Sequence, residues 1–195
     1  MSHEVPEHGS LPVAARVRRL EERVIAAGLA TDDELDAALA RVYTTASPVN
    51  GARIVARAWT DPGYAGRLLA DGNAAAAELG FGTAGYRLRA VANSPSLHNM
   101  VVCTLCSCYP VGLLGPSPSW YKSFAYRSRA VREPRAVLAE FGLDLPGSTE
   151  IAVWDASAET RYLVVPRRPA GTAGLSEDGL AALVTRNGLI GTAAV

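Results

Sequence analysis

Residues 100–108 are Met100-Val101-Val102-Cys103-Thr104-Leu105-Cys106-Ser107-Cys108, a short β-prone run leading into a window that holds all three cysteines of the chain. An odd number of cysteines at this spacing is not a disulfide framework. A tight loop can turn three sulfur atoms toward one point, and soft thiolate donors suit late transition metals or iron. The stretch therefore predicts a strand that ends in a metal-binding or redox loop.

Backbone nitrogens are the nearest further donors in so short a loop, namely those of Ser107 and Cys108. A deprotonated amide nitrogen is an extremely strong donor. It favours a trivalent low-spin ion over zinc, which takes four tetrahedral ligands and rarely binds amide nitrogen. The Cys103-x-x-Cys106 spacing taken alone leaves a zinc half-site or a thiol-disulfide pair open.

Helical signals dominate the chain before the window. Thr31 to Glu34 forms a capping box, Pro48 is predicted to interrupt the pattern before a helix over 52–59, and Asp61-Pro62 supplies an N-cap and a proline for the next helix. From Tyr86 the pattern becomes extended. The predicted class is α+β: an N-terminal helical region, residues 1–80, followed by a mixed α/β layered domain, residues 81–195, that carries the cysteine loop.

The chain after the cysteine window is predicted to contain both helices and strands. Predicted helices cover 120–131, 134–141 and 176–186, the last capped by Ser176 and closed at Asn187-Gly188, and predicted strands cover 151–154 and 162–165. Between 110 and 118, proline and glycine crowd the chain and predict an irregular loop.

Composition excludes several classes of function. The 195 residues carry 19 basic and 19 acidic side chains, a formal net charge of zero, so no overall field would attract nucleic acid or an anionic membrane. No apolar run is long enough for a membrane span, and the acidic first residues lack the features of a signal peptide. We therefore expect a cytoplasmic protein that binds neither nucleic acid nor membranes.

The cysteine window resembles the metal-binding claw of the nitrile hydratase alpha-subunit family. Further segments resemble that family too, and the resemblance covers nearly everything after about Val13. These segments are residues 51–62, 68–72, 97–99, 120–123, 126–129, 132–135, 158–162, 168–172 and 189–191. The near relative with a similar claw is the thiocyanate hydrolase gamma subunit.

The resemblance implies a ligand set. Cys103 is the unmodified axial thiolate, Cys106 a sulfinate and Cys108 a sulfenate, and the backbone nitrogens of Ser107 and Cys108 complete the claw. Such oxidation lies on the ordinary cysteine ladder and adds oxygen atoms that accept hydrogen bonds. Thr104 resembles the cobalt branch, because iron members usually have serine there, so the expected cofactor is Co(III), with iron as the alternative.

The implied reaction is metal-assisted hydration of a nitrile to an amide, in which hydroxide or the Cys108 sulfenate oxygen attacks the nitrile carbon. Cys106 and Cys108 are the implied catalytic residues. Thr104, Glu159 and Arg161 are expected to support the ligands and orient the site. The resemblance also implies a beta-type partner subunit whose arginines hold the oxidised sulfurs, and an activator protein for metal insertion.

Four arginines after the loop are interpreted as ion-pair partners for that second subunit rather than as a nucleic-acid patch, because guanidinium groups pair with carboxylates. They are Arg127, Arg129, Arg132 and Arg135.

Two departures from the family concern the substrate. Many members have tryptophan where this chain has Val111, and a glutamine upstream of the claw is replaced by Ala84 on an ungapped count. Losing the tryptophan should widen one wall of the pocket. We therefore expect a bulkier, heteroaromatic nitrile, for example a nucleoside nitrile of the toyocamycin type. Thiocyanate hydrolysis and a non-catalytic metal-binding subunit remain alternative functions.

Overall fold

A computed structural model describes residues 12–195, apart from the side chains of residues 42 and 43. The chain divides into two compact units, one ending at Thr44 and the other spanning Thr45–Val195. Within the second unit, helices that precede residue 80 pack with strands that follow it. The functional division proposed at residues 80 and 81 stays a prediction.

The first unit contains α1 (Val13–Ala26) and α2 (Asp32–Thr45). The predicted capping box is confirmed: the Thr31 amide donates to the Glu34 carboxylate at 2.8 Å, and the Glu34 amide donates to Thr31 Oγ1 at 3.2 Å. These bonds hold the pKa of Glu34 below its usual value. No residue of α1 is buried, and its apolar side chains Val13, Val17 and Leu20 are exposed in this chain.

Three helices open the second unit: α3 (Pro48–Thr60), α4 (Pro62–Ala70) and α5 (Gly72–Glu78). Asp61 caps α4 as predicted, accepting from the Tyr64 amide at 2.9 Å. The prediction that Pro48 interrupts the helical pattern was wrong, because α3 begins at Pro48. A proline in the first turn lacks only an N–H that would have no partner within the helix, and Ser47 caps the same end.

Four strands form two parallel pairs. The strand β1 (Arg87–Ala92) pairs with β4 (Thr160–Val165), and β2 (Leu97–Val102) pairs with β3 (Glu150–Asp155). Five of the six β2 residues are buried, as expected for a strand covered on both faces. The predicted α+β class is confirmed, and the cysteine window begins where β2 ends.

Short helices fill the rest of the unit: α6 (Val111–Leu114), a 3-10 helix (Ser119–Lys122), α7 (Phe124–Ala130), α8 (Pro134–Glu140), α9 (Glu177–Ala181) and α10 (Arg186–Ile190). Among residues 12–195, no helix is long and apolar enough to cross a membrane.

Two predicted helices are corrected by side-chain caps. The helix predicted over 120–131 is interrupted at Ser123, whose Oγ accepts from the Tyr126 amide at 3.1 Å and starts α7. The helix predicted from Ser176 through Arg186 ends at Ala181, and Thr185 starts α10 by accepting from the Gly188 amide. Gly188 thus lies inside a helix and not at its end, because a capping hydroxyl competes locally with helix continuation.

His98 on β2 is buried as a neutral imidazole. Its Nε2 lies 2.8 Å from the Gly191 carbonyl oxygen, which only accepts, so Nε2 carries the proton and Nδ1 accepts from Asn93 at 3.2 Å. Burial lowers the pKa of His98 below its usual value.

We expect the metal-free chain to lose stability as the pH falls. A folded-state pKa below the unfolded value of about 6.5 gives a contribution that is complete above that pH and is lost as the pH falls through it toward the folded pKa. Denaturant midpoints at pH 7.5 and pH 5.5 should therefore differ more for the native chain than for His98→Asn. Equal pH dependence in the two chains would contradict this assignment.

Candidate metal centre

The three cysteine sulfurs lie together at the end of β2. Cys103 Sγ is 3.6 Å from Cys106 Sγ, Cys106 Sγ is 3.3 Å from Cys108 Sγ, and all three atoms lie within 4.8 Å of one another. Cys103 is buried, Cys108 is half-buried and Cys106 is exposed. The loop thus brings three sulfur donors to one point, as predicted for a tight loop, and it buries one of them more deeply than the other two. We call residues 103–108 the claw loop.

Backbone amides of the claw loop face its sulfurs. The Cys106 amide donates to Cys103 Sγ at 3.3 Å. The Cys108 thiol, then the Ser107 amide, lower the pKa of Cys106 to about 7. Burial, and then the neighbouring Cys106, raise the pKa of Cys108 to about 12. Cys106 therefore ionises before Cys108 and offers a thiolate near neutral pH.

Asp155 anchors the first residue after Cys103. Its carboxylate accepts from the Thr104 amide at 2.9 Å and from Thr104 Oγ1 at 2.6 Å. Asp155 ends β3, and the parallel register places it beside Val102, the last residue of β2. Sequence reasoning missed Asp155, because only the β2–β3 pairing brings it to the claw loop.

Arg127 on α7 contacts the outer side of the same loop. Its Nη1 lies 3.1 Å from the Leu105 carbonyl oxygen, 3.2 Å from that of Cys106 and 3.5 Å from that of Thr104. The sequence analysis predicted that Arg127 forms an ion pair with a second subunit. The observed contact differs from that prediction, because it is made to carbonyl oxygens within the chain.

Two of the other arginines in that group also have partners inside the chain. Arg129 forms ion pairs with Glu133 at 2.7 Å and Glu140 at 2.6 Å. Arg135 donates to the carbonyl oxygens of Leu145 and Pro146. These contacts join α7 to α8 and α8 to the segment before β3.

An aromatic cluster supports both ends of the claw loop. Tyr121 donates its hydroxyl to the Cys108 carbonyl oxygen at 2.9 Å, and Tyr126 donates to that of Val101 at 2.6 Å. Burial raises the pKa of both tyrosines far above the usual value, so both hydroxyls keep the proton that they donate. The Tyr121 ring packs edge-on against Tyr109 at 5.1 Å between centroids.

Arg161 and Glu159, both predicted to support the site, differ in their contacts. Arg161 donates to the Tyr109 carbonyl oxygen at 2.7 Å, directly after the claw loop, and its guanidinium lies 5.0 Å from the centre of the Tyr86 ring. Glu159 accepts from Ser157 Oγ at 2.9 Å. In the described part of the chain its carboxylate makes no hydrogen bond to the claw loop or to Tyr109, so of these two residues only Arg161 contacts the segment next to the loop.

The donor set favours a soft or borderline metal ion. Across residues 12–195, the three cysteines are the only group of three or more His, Cys, Asp or Glu side chains close enough to hold one ion. His98, which sequence reasoning weighed as a structural residue, hydrogen-bonds Gly191 instead. A four-ligand zinc site would need one further side chain, whereas inward-facing amides suit an ion that accepts nitrogen donors.

The chain matches the family model described as nitrile hydratase, alpha chain, over residues 11–193. It is 49% identical over 192 residues to the low-molecular weight cobalt-containing nitrile hydratase subunit alpha of Rhodococcus rhodochrous, covering 95% of this chain and 93% of that one. It is 50% identical over 161 residues to the thiocyanate hydrolase subunit gamma of Thiobacillus thioparus, covering 76% of this chain and 66% of that one.

Solved structures of similar proteins superpose on most of the chain. A double mutant of the Fe-type nitrile hydratase from Comamonas testosteroni Ni1 superposes with a TM-score of 0.89 at 42% identity, covering 94% of this chain and 92% of that one. A recombinant thiocyanate hydrolase with partially modified cobalt centres gives 0.83 at 44% identity, covering 97% and 90%.

Proposed function

The chain belongs to the nitrile hydratase alpha-chain family, and on that premise we propose that it is the metal-binding subunit of an enzyme that hydrates a nitrile to the corresponding amide. The observation that carries the proposal is the convergence of the sulfurs of Cys103, Cys106 and Cys108 within 4.8 Å of one another. Family relatives at 46–50% identity that are named cobalt-containing support the assignment.

The proposed ligands are the three sulfurs and the backbone nitrogens of Ser107 and Cys108. The Cys106 amide donates to Cys103 Sγ, so the backbone of this loop turns an N–H toward the sulfurs, which is the orientation that such ligation needs. The proposed ion is cobalt, in the trivalent state, supported by the named relatives and by Thr104. Bound there, it would supply Lewis acidity that polarises the nitrile.

The chain's own residues have two tasks in this proposal. Cys106 and Cys108 would be the catalytic residues: oxidised to sulfinate and sulfenate, they would present oxygen atoms on the open side of the loop. Hydroxide, or the Cys108 sulfenate oxygen later replaced from water, would attack the nitrile carbon, so that one water molecule supplies the oxygen and the two hydrogens of the amide. The exposed Cys106 and half-buried Cys108 leave room for that oxygen, whereas the buried Cys103 stays a thiolate. Thr104 and Arg161 hold the loop at its two ends, and Glu159 is assigned a supporting role beside Arg161.

The proposed assembly includes a beta-type subunit and an activator protein that inserts cobalt. Leu105 in the claw loop is 88% exposed and Phe124, the first residue of α7, is 77% exposed, and a partner subunit would cover both apolar side chains. We also propose a cytoplasmic location, since three cysteines within six residues are typical of a metal site and not of the disulfide framework of a secreted protein.

A substrate assay on the assembled enzyme tests the proposal and separates it from thiocyanate hydrolysis. We expect amide formation from a nitrile, with no carbonyl sulfide released from thiocyanate. Carbonyl sulfide release without amide formation would instead assign the chain to the gamma-type function. Metal binding with neither product would indicate a non-catalytic subunit.

Val111 provides a test of the proposed heteroaromatic substrate. It begins α6, three residues after Cys108, and is half-buried. We expect Val111→Trp to lower kcat/KM for 3-cyanopyridine by about tenfold, the scale of a lost pocket contact, and to leave acetonitrile nearly unchanged. Leu175→Trp, at an exposed position in the loop before α9, is the control. Native activity on small aliphatic nitriles alone would contradict the substrate class.

A further inference from the structure

We propose that Arg127 is a positioning residue that holds the peptide planes of the claw loop with their carbonyl oxygens outward and their nitrogens toward the sulfurs. The inference rests on the proposed function in one respect, because it explains how the Ser107 nitrogen comes to face the metal position. The geometry itself belongs to the metal-free chain.

The peptide bond between Leu105 and Cys106 has a contact on its oxygen side and another on its nitrogen side. None of the described peptide bonds is cis, so the carbonyl oxygen and the N–H of one peptide point in opposite directions. The Leu105 oxygen accepts from Arg127 at 3.1 Å, and the Cys106 N–H points to Cys103 Sγ at 3.3 Å. Fixing the oxygen therefore also fixes the nitrogen.

The next peptide repeats the arrangement at the proposed ligand. The Cys106 carbonyl oxygen accepts from Arg127 at 3.2 Å, so the N–H of Ser107 in the same peptide must point to the opposite side. The preceding Cys106 N–H, oriented by the same arginine nitrogen, points to Cys103 Sγ on that side. One guanidinium nitrogen thus orients two consecutive peptides of the claw loop.

A cation suits this position for an electrostatic reason. Carbonyl oxygens of residues 104–106 converge on Arg127 Nη1 within 3.5 Å, and three partial negative charges so close together repel one another. A positive donor compensates that repulsion, and hydrogen bonds to a charged group are about twice as strong as neutral ones. No carboxylate pairs with Arg127 in the described chain, so its charge is directed at the loop.

The helix that carries Arg127 is held in place independently of the loop. Ser123 caps α7. Tyr126, which precedes Arg127, donates its hydroxyl to the Val101 carbonyl oxygen within the core. Arg127 therefore extends from a fixed base to the claw loop, which is the arrangement that a positioning residue requires.

The first test uses the metal-free full-length chain with reduced cysteines. We expect Arg127→Met to raise the amide hydrogen-exchange rate of the peptide containing residues 105–107 by about tenfold or more, since a charged hydrogen bond that is lost frees the loop to open. Arg127→Lys keeps the positive donor and should restore part of the protection. Arg132→Met removes an arginine from the exposed turn after α7 and should leave the exchange unchanged.

The second test adds Co²⁺ to the same chains without oxygen and follows its removal by EDTA. We expect Arg127→Met to lose cobalt about 10 to 100 times faster than the native chain, the usual effect of losing a group that orients a ligand. The rate for Arg127→Lys should lie between the other two. Circular dichroism shows whether each variant folds. If Arg127→Met does not fold, the cobalt-loss rate of Arg127→Lys tests the positioning role.

The outcomes separate this inference from the proposed function. Native exchange and native cobalt loss in a folded Arg127→Met chain would overturn the positioning role and leave the nitrile hydratase assignment intact. Absence of amide formation by the assembled native enzyme, together with faster exchange in Arg127→Met, would overturn the proposed function and leave Arg127 as the residue that orients the loop.

Discussion

Replacing Cys108 with serine is expected to abolish nitrile hydration in the assembled enzyme, lowering kcat by about a thousandfold or more. A metal Lewis acid contributes several kcal/mol, and about 1.4 kcal/mol is a factor of ten in rate. Serine keeps the size of the side chain but offers a hard oxygen that cannot be oxidised to a sulfenate. The Cys106 sulfur would also lose the thiol 3.3 Å away that helps to lower its pKa. Cobalt content and amide formation measure the two losses.

Ser107→Ala is the matched control, because it lies in the same loop and keeps the backbone nitrogen proposed as a ligand. We expect this variant to retain cobalt and a large part of the activity. Equal loss of cobalt in Ser107→Ala and Cys108→Ser would show that any disturbance of the loop releases the metal, which would contradict the assigned roles of the two residues.

Gly191→Ala is expected to destabilise the chain by about 3 kcal/mol or more, measured as the free energy of unfolding in urea. Gly191 has φ +86°, and a Cβ there would overlap the backbone carbonyl oxygen of Asn99 in β2. Asn99 cannot move away freely, since its side chain accepts from Trp154 and donates to Ala92. A shift of β2 would also displace Cys103 at its end.

Two other glycines separate the causes of that loss. Gly171 has φ +78° with open space around it, so Gly171→Ala tests the backbone strain alone. Gly66 lies within α4 with open space and no positive φ, and alanine there should stabilise by about 0.5 to 1 kcal/mol. A Gly191→Ala chain no less stable than Gly171→Ala would show that the contact with Asn99 has little weight.

Local rules predicted much of the fold because their causes lie within a few residues. The Thr31 capping box and the Asp61-Pro62 helix start are confirmed in the structure. The strand that leads into Cys103 is confirmed as well. The start of α3 at Pro48 was missed, because a proline that ends one helix is equally suited to begin another.

The helix breaks at Ser123 and after Ala181 were also missed. Both sequences have helical composition throughout, and a serine or threonine cap is decided by one hydrogen bond that competes with the continuing helix. Parallel strand pairing was equally out of reach, since β2 and β3 are separated by 47 residues between Val102 and Glu150 and their register depends on the packed core.

Some residues of the candidate site could be predicted from the sequence and others could not. The cysteines were evident from their spacing and from the family resemblance, because the claw loop is a continuous stretch. Asp155 and the contact of Arg127 with the loop were not, since one depends on strand pairing and the other on the cap that starts α7. Residues that hold a local motif from distant elements carry no signal in a single sequence.

Metal analysis combined with the mass of the claw peptide tests the central claim most directly. The protein should be coexpressed with its partner subunit in cobalt-containing medium and digested without reduction. We predict about one cobalt per chain and added masses of about 32 Da on Cys106 and about 16 Da on Cys108, with Cys103 unmodified. Zinc with three unmodified thiols would contradict the account and would leave the chain with a structural metal site.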